Sequence, residues 1–208
     1  MKSLITHLIK NNLQEIVSRS LLNCHCMGLH SIMLLESPGK TIRLYISEPG
    51  GDMYKNSPRH HDKGKGMSLA FHPHHCNLTL ECVTGTIMNW EMKVVPTGRF
   101  KIDRFLYTSG ITEGEMGFKK DGEDVLQTKK KTYLKWGQTV SMPAEAIHTV
   151  ACAEDTLCAW LVYEGEENPD YIPYCWSNSN LEESTQKGLY IQPSEAQVKK
   201  LLKSVNLL

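Results

Sequence analysis

Two short stretches of this chain hold the residues best suited to chemistry. The first is Phe71-His72-Pro73-His74-His75, which leads into the apolar run at 78–83 and then Gly85. The second is Gly137-Gln138-Thr139-Val140-Ser141-Met142-Pro143-Ala144-Glu145-Ala146-Ile147-His148. Imidazole nitrogens are metal ligands and proton carriers near neutral pH. Side chains alternate across a strand, so His72 and His74 fall on one face and His75 on the other unless a bulge intervenes. Two imidazoles at i and i+2, joined by His148 from a remote segment, would form a facial metal site with coordination positions left open. His75 could then replace His74 only if the strand bulges. His60-His61 reads as a surface pair.

These side chains need a rigid frame, and the surrounding sequence supplies one. Leu4, Ile5, Leu8, Ile9, Leu13, Ile16, Val17 and Leu21 recur at helical spacing, predicting an amphipathic helix over 1–23. Val198, Leu201, Leu202 and Val205 do the same near the other end, with Ser194 as N-cap and Gln197 three residues on. Between the helices the period changes to two. Segments 31–36 and 41–46 flank Ser37-Pro38-Gly39-Lys40 as a hairpin, and further strands are expected at 78–83, 86–94, 100–107, 132–136, 148–152 and 156–163. Pro96-Thr97-Gly98 and Lys120-Asp121-Gly122 read as turns, and 50–66 as a long loop before a strand at Met67. Many short strands with no helical pattern among them predict an all-β sandwich or barrel.

Gly66, a five-residue gap, His72-x-His74 and Gly85, followed by Gly137, a second five-residue gap, Pro143 and His148, resemble the two motifs of the cupin superfamily. The resemblance covers roughly residues 66–163. It implies an all-β, cupin-type jelly-roll barrel over 30–163 within a single domain, 1–208, with the N-terminal helix outside and an extension over 164–208 that ends in a helix. Glu145 stands where the second motif usually has a turn glycine, and it would have to adopt a backbone shape that glycine takes more easily. Cupins with three histidines and a glutamate place that glutamate where this chain has Leu78, and Glu81 falls on the other strand face, an outward surface carboxylate. The resemblance therefore implies a three-imidazole site, His72, His74 and His148. That arrangement is similar to the thiol dioxygenase branch, which includes the cysteine dioxygenases and holds Fe(II) in this way; Zn(II), Mn(II) or Ni(II) are alternatives.

A thiol dioxygenase also implies a tyrosine near the iron, for which Tyr163 is the candidate, and a cation for the substrate carboxylate. Arg43 is the candidate there, with Lys55 and Arg59 behind it. The expected function is a metal-dependent enzyme, an Fe(II) dioxygenase acting with O₂ on a small molecule, for example a thiol such as cysteine or a relative. Two other readings stand beside it: a non-catalytic small-molecule-binding or sensor cupin, and a metal-dependent sugar isomerase or epimerase.

Composition narrows the partners. The 208 residues carry 23 Lys+Arg against 23 Asp+Glu, so no long-range field favours a phosphate backbone, and nucleic acid is not expected. No apolar run approaches the roughly 20 residues that span a bilayer, and no secretory leader is visible, which predicts a cytoplasmic protein without a membrane partner, monomeric or homodimeric. The seven cysteines, an odd number, argue against a disulfide framework. Cys24-His25-Cys26 offers metal-ligating residue types but lacks a second pair at zinc spacing. Trp90, Trp136, Trp160 and Trp176 are expected in the core or pocket wall, Met88 and Met92 as packing on one strand face, and Lys129-Lys130-Lys131 as a solvated turn.

Overall fold

A computed structural model describes residues 2–57, 71–107, 117–168, 170–179, 181 and 188–208. The anticipated strand at Met67, together with Gly66, Arg59 and His60-His61, lies outside the described residues.

Helix α1 (Lys2–Arg19) is followed by ten strands: β1 (Leu29–Ser37), β2 (Lys40–Ser47), β3 (Cys76–Thr84), β4 (Thr86–Val95), β5 (Phe100–Tyr107), β6 (Phe118–Lys135), β7 (Thr139–Met142), β8 (Ile147–Cys152), β9 (Cys158–Glu167) and β10 (Tyr174–Ser177). Helix α2 (Glu195–Ser204) follows them. The strands form two five-stranded sheets, β1-β2-β9-β3-β7 and β10-β5-β6-β4-β8, with every pairing between strands antiparallel. This is the jelly-roll arrangement that the cupin resemblance implies.

Alternation along β9 sorts the layers. Trp160 and Val162 join Leu78, Leu80 and Val150 in the barrel interior, while Ala159 and Leu161 turn to the other face. There Ile5, Ile9 and Ile16 of α1 and Val198, Leu201 and Leu202 of α2 cover them. Each such aliphatic side chain contributes about 1.5–3 kcal/mol when withdrawn from water. The helices are thus an outer layer on the first sheet. Ser194 caps α2 as the sequence suggests: Gln197 N donates to Ser194 Oγ, and Ser194 N donates to Gln197 Oε1 at 2.8 Å. Helix α1 kinks at Asn12 and ends at Arg19, short of the anticipated boundary. On the second sheet Met88, Trp90 and Met92 share one packed face with Phe71 and Trp176.

Several local expectations are corrected. Residues 118–131, which include both the Lys120-Asp121-Gly122 turn and the lysine run, belong to the single long strand β6. Most of its side chains face water, so its sequence lacks an apolar stripe, and the strand exists because β4 and β5 pair with its two edges. Lys131 lies over the Trp90 ring, 4.9 Å from its centroid. Trp136 is 81% exposed, neither core nor pocket wall. Glu145 is absent from the residues with left-handed backbone, so it needs no glycine-like conformation. Gly85 does: its φ is +73°, and a Cβ there would stand 2.6 Å from Leu157 O.

Candidate metal centre

Backbone pairing builds the site. His72 N donates to His148 O at 3.1 Å and His148 N donates to His72 O at 3.2 Å, a directly opposed antiparallel pair whose side chains leave the sheet on the same face. The adjoining bridge Phe71–Trp176 anchors the segment on the β10 side. Two residues on, His74 N donates to Ala144 O, and Ala144 N in turn donates to Asn77 Oδ1, so the motif that ends in His148 also positions His74. The three rings converge, with centroids 4.7 Å apart for His72 and His74, 5.0 Å for His74 and His148, and 5.7 Å for His72 and His148. One ligating nitrogen from each lies within 4.8 Å of the others.

The electrostatics suit a cation. Burial lowers His72 to about 4, and burial with the neighbouring His72 lowers His148 to about 3. His74 is pushed well below the ordinary value, by burial first and then by the surrounding histidines. All three are neutral at pH 7, with nitrogen lone pairs free to ligate. His148 Nδ1 meets Asn89 Oδ1 at 2.6 Å, which assigns the proton to Nδ1 and leaves Nε2 as the ligating atom. That Nε2 stands 2.8 Å from His74 Nε2. His72 Nδ1 is buried without a hydrogen-bond partner among the described residues. Crowded neutral nitrogens and an orphaned one fit a divalent metal ion, which would satisfy them together.

The histidines open on an inner cavity of about 410 Å³. Arg43, Tyr45, Trp160 and Glu164 line it from the first sheet, and Tyr45 stacks on Trp160 at 5.6 Å and 12°. Arg43 is therefore in the cavity, as anticipated, but its Nε donates to Glu164 Oε1 at 3.0 Å, so its charge is already paired. Lys55 pairs with Asp52 at 2.7 Å instead of serving the cavity.

Tyr163 does not reach the site. It follows Val162 by one residue and so points to the helix-covered face, where its hydroxyl donates to Glu81 Oε2 at 2.9 Å. Glu81 is correspondingly buried, 7% exposed, and is not the surface carboxylate anticipated. Neither Cys24 nor Cys26 joins a set of three donor groups among the described residues. His25, between them, does enter the cavity, with its ring 6.0 Å from that of His72 and its Nδ1 2.9 Å from Tyr190 Oη. Both residues have left-handed backbone, φ 70° for His25 and 55° for Tyr190, a strained geometry held by the bridge between Leu22 and Ile191. Asn89 carried a signal, a lone amide inside the apolar strand 86–94. Tyr190 carried none, because it comes from a segment beyond the barrel.

No protein-family model matches the sequence, and no curated protein matches it. Solved structures do. The chain is similar to a cupin superfamily protein from Desulfitobacterium hafniense (12% identity, 67% of this chain and 78% of the other, TM-score 0.36). It is likewise similar to a cupin domain from Bordetella pertussis Tohama I (13%, 67% and 94%, TM-score 0.35). Hydroxypropylphosphonic acid epoxidase from S. wedmorenis is also similar (11%, 70% of this chain, TM-score 0.40), and the chain spans about half of its length, 53%.

Proposed function

We propose that this chain is a metal-dependent cupin enzyme, an Fe(II) dioxygenase that takes a small molecule into the inner cavity and oxidises it with O₂. The observation that supports this reading is the convergence of His72, His74 and His148, all neutral, on the wall of a cavity large enough for a small substrate. A divalent ion held there supplies a Lewis acid and, where it is iron, one-electron chemistry with O₂. Asn89 fixes the His148 ring and keeps the proton on Nδ1. Tyr45 and Trp160 give the cavity an apolar wall that excludes water. Arg43 and Glu164 present a paired positive and negative charge, which suits a ligand with its own paired charges, such as the zwitterion of cysteine. Tyr190, bonded to the neutral His25, adds a hydroxyl to the lining of the same cavity.

The test is O₂ consumption by the Fe(II)-loaded protein with a panel of small thiols, beside His72→Ala and Arg43→Ala. Turnover that His72→Ala abolishes, and for which Arg43→Ala raises KM, supports the proposal. Absence of O₂ uptake with every thiol by a fully iron-loaded protein rejects the thiol reading. Ligand binding without turnover in the same protein would favour the sensor alternative.

A further inference from the structure

The dipeptide His74-His75 divides its two imidazoles between different surroundings. His74 joins the three-histidine group, whereas His75 is exposed and turns toward Cys76 and Glu164. We propose that His75, Cys76 and Glu164 form a second, separate metal site for a borderline-soft divalent cation of the Zn(II) class.

Strand pairing brings the three residues together. β3 begins at Cys76 opposite Glu167 of β9 and shifts register between Cys76 and Leu78, so that Leu78 lies opposite Glu164. His75 O accepts from Asn168 N just past the end of β9. The irregularity at the start of β3 therefore sets one imidazole, one thiol and one carboxylate side by side, each offering a ligand atom within 4.8 Å of the other two. Donors around a tetrahedral Zn(II), at bonds of about 2.0–2.3 Å, stand on the order of 3.5 Å apart, so modest side-chain rotations close the set. Water completes the fourth position.

The donor set selects the class of ion. A thiolate with an imidazole suits Zn(II) or Co(II), whereas Mg(II) and Ca(II) favour all-oxygen shells. A route from solvent exists, because exposed His75 and half-buried Glu164 also line a surface cleft with Glu167, while Glu36 there is paired with Arg19. Glu164 gives Oε1 to Arg43, and a carboxylate can take a guanidinium on one oxygen and a metal on the other. Binding is not a redox step: the Cys76 thiol releases its proton to solvent as the sulfur–metal bond forms, and no electrons are exchanged.

Anaerobic titration of the reduced, metal-free full chain with Co(II) tests the proposal, since thiolate ligation produces a near-ultraviolet charge-transfer band and imidazole ligation alone does not. Wild type is expected to take two equivalents, one of which gives the band. Cys76→Ser should lose the band and that equivalent. His75→Ala, at an exposed position where folding is not at stake, should weaken the same equivalent at least about tenfold. The His72→Ala/His148→Ala double variant should keep the band and lose the other equivalent. A wild type without the band, a band that survives Cys76→Ser, or wild-type binding by His75→Ala overturns the proposal. So does loss of both equivalents in the double variant, since the sites would then be one.

Discussion

Replacing Asn89 with leucine should weaken metal binding without unfolding the barrel. Asn89 is wholly buried, and its Oδ1 meets His148 Nδ1 at 2.6 Å. Leucine keeps the branched shape, with only a modest increase in bulk, and removes the acceptor. His148 then has a buried N–H without a partner, at a cost of about 1–3 kcal/mol, and its ring is free to rotate or exchange tautomers. The effect on folding is partly offset, because Asn89 Nδ2 is itself buried without a partner among the described residues and leaves with the substitution. The effect on the metal has no such offset. Loss of an outer partner of this kind typically lowers affinity about 10–100-fold, equivalent to about 1.4–2.8 kcal/mol. Competition for the metal against a chromophoric chelator measures it directly, with the melting transition as a check on folding. Asn89→Asp should bind at least as tightly as wild type, since a carboxylate accepts the same proton and makes Nε2 more basic. A leucine variant that is folded and binds within about twofold of wild type would refute the reasoning, because His148 orientation would then not depend on Asn89.

Other consequences are equally open to measurement. In the metal-free protein His25, His72 and His148 titrate at about 3, 4 and 3, against 6.5 for an ordinary histidine, so the unfolded chain binds protons that the folded one refuses. Stability is therefore complete above about pH 6.5 and falls as the pH drops toward 4, by up to about 1.4 kcal/mol per pH unit for each histidine. A urea midpoint that is the same at pH 7 and pH 5 would contradict this. Tyr163→Phe should leave metal affinity untouched and cost about 1–3 kcal/mol in urea unfolding, because buried Glu81 loses its donor; altered metal binding would return Tyr163 to the site. Gly85→Ala should destabilise by more than the roughly 1–2 kcal/mol of left-handed strain alone, since the new methyl also meets Leu157 O and Cys158 Sγ, and thermal melting reads the difference.

What could be read in the sequence was whatever rests on local alternation. The strands at 41–46, 78–83 and 86–94 carry apolar residues at every second position, 31–36 and 100–107 carry apolar runs bounded by turn residues, and the structure pairs them all within a residue or two of the expected ends. The three histidines came from the same logic plus the spacing of the second motif. What escaped depends on neighbours. β6 is nearly all polar and is held by its two partners, β7 is only four residues long, and β10 lies beyond the region of family resemblance. Tyr163 was misplaced by one step of parity, since Val162 takes the inward position, and that step moves a side chain from cavity to helix interface. The pairing of Arg43 with Glu164 joins residues on adjacent strands β2 and β9, a register that no reading of a single strand contains.

The central claim is that His72, His74 and His148 hold one divalent ion together. Elemental analysis of untagged protein purified without chelator, beside His72→Ala, His148→Ala and, to separate the neighbouring thiol group, Cys76→Ser, tests it most directly. The account predicts a near-stoichiometric metal in Cys76→Ser, which lacks the neighbouring thiol group, and its loss when His72→Ala or His148→Ala is added in that background while the protein remains folded. Folded wild-type protein that carries no metal and takes none up from Fe(II), Mn(II), Ni(II) or Zn(II), or His72→Ala and His148→Ala variants that retain a full equivalent in the Cys76→Ser background, would contradict it.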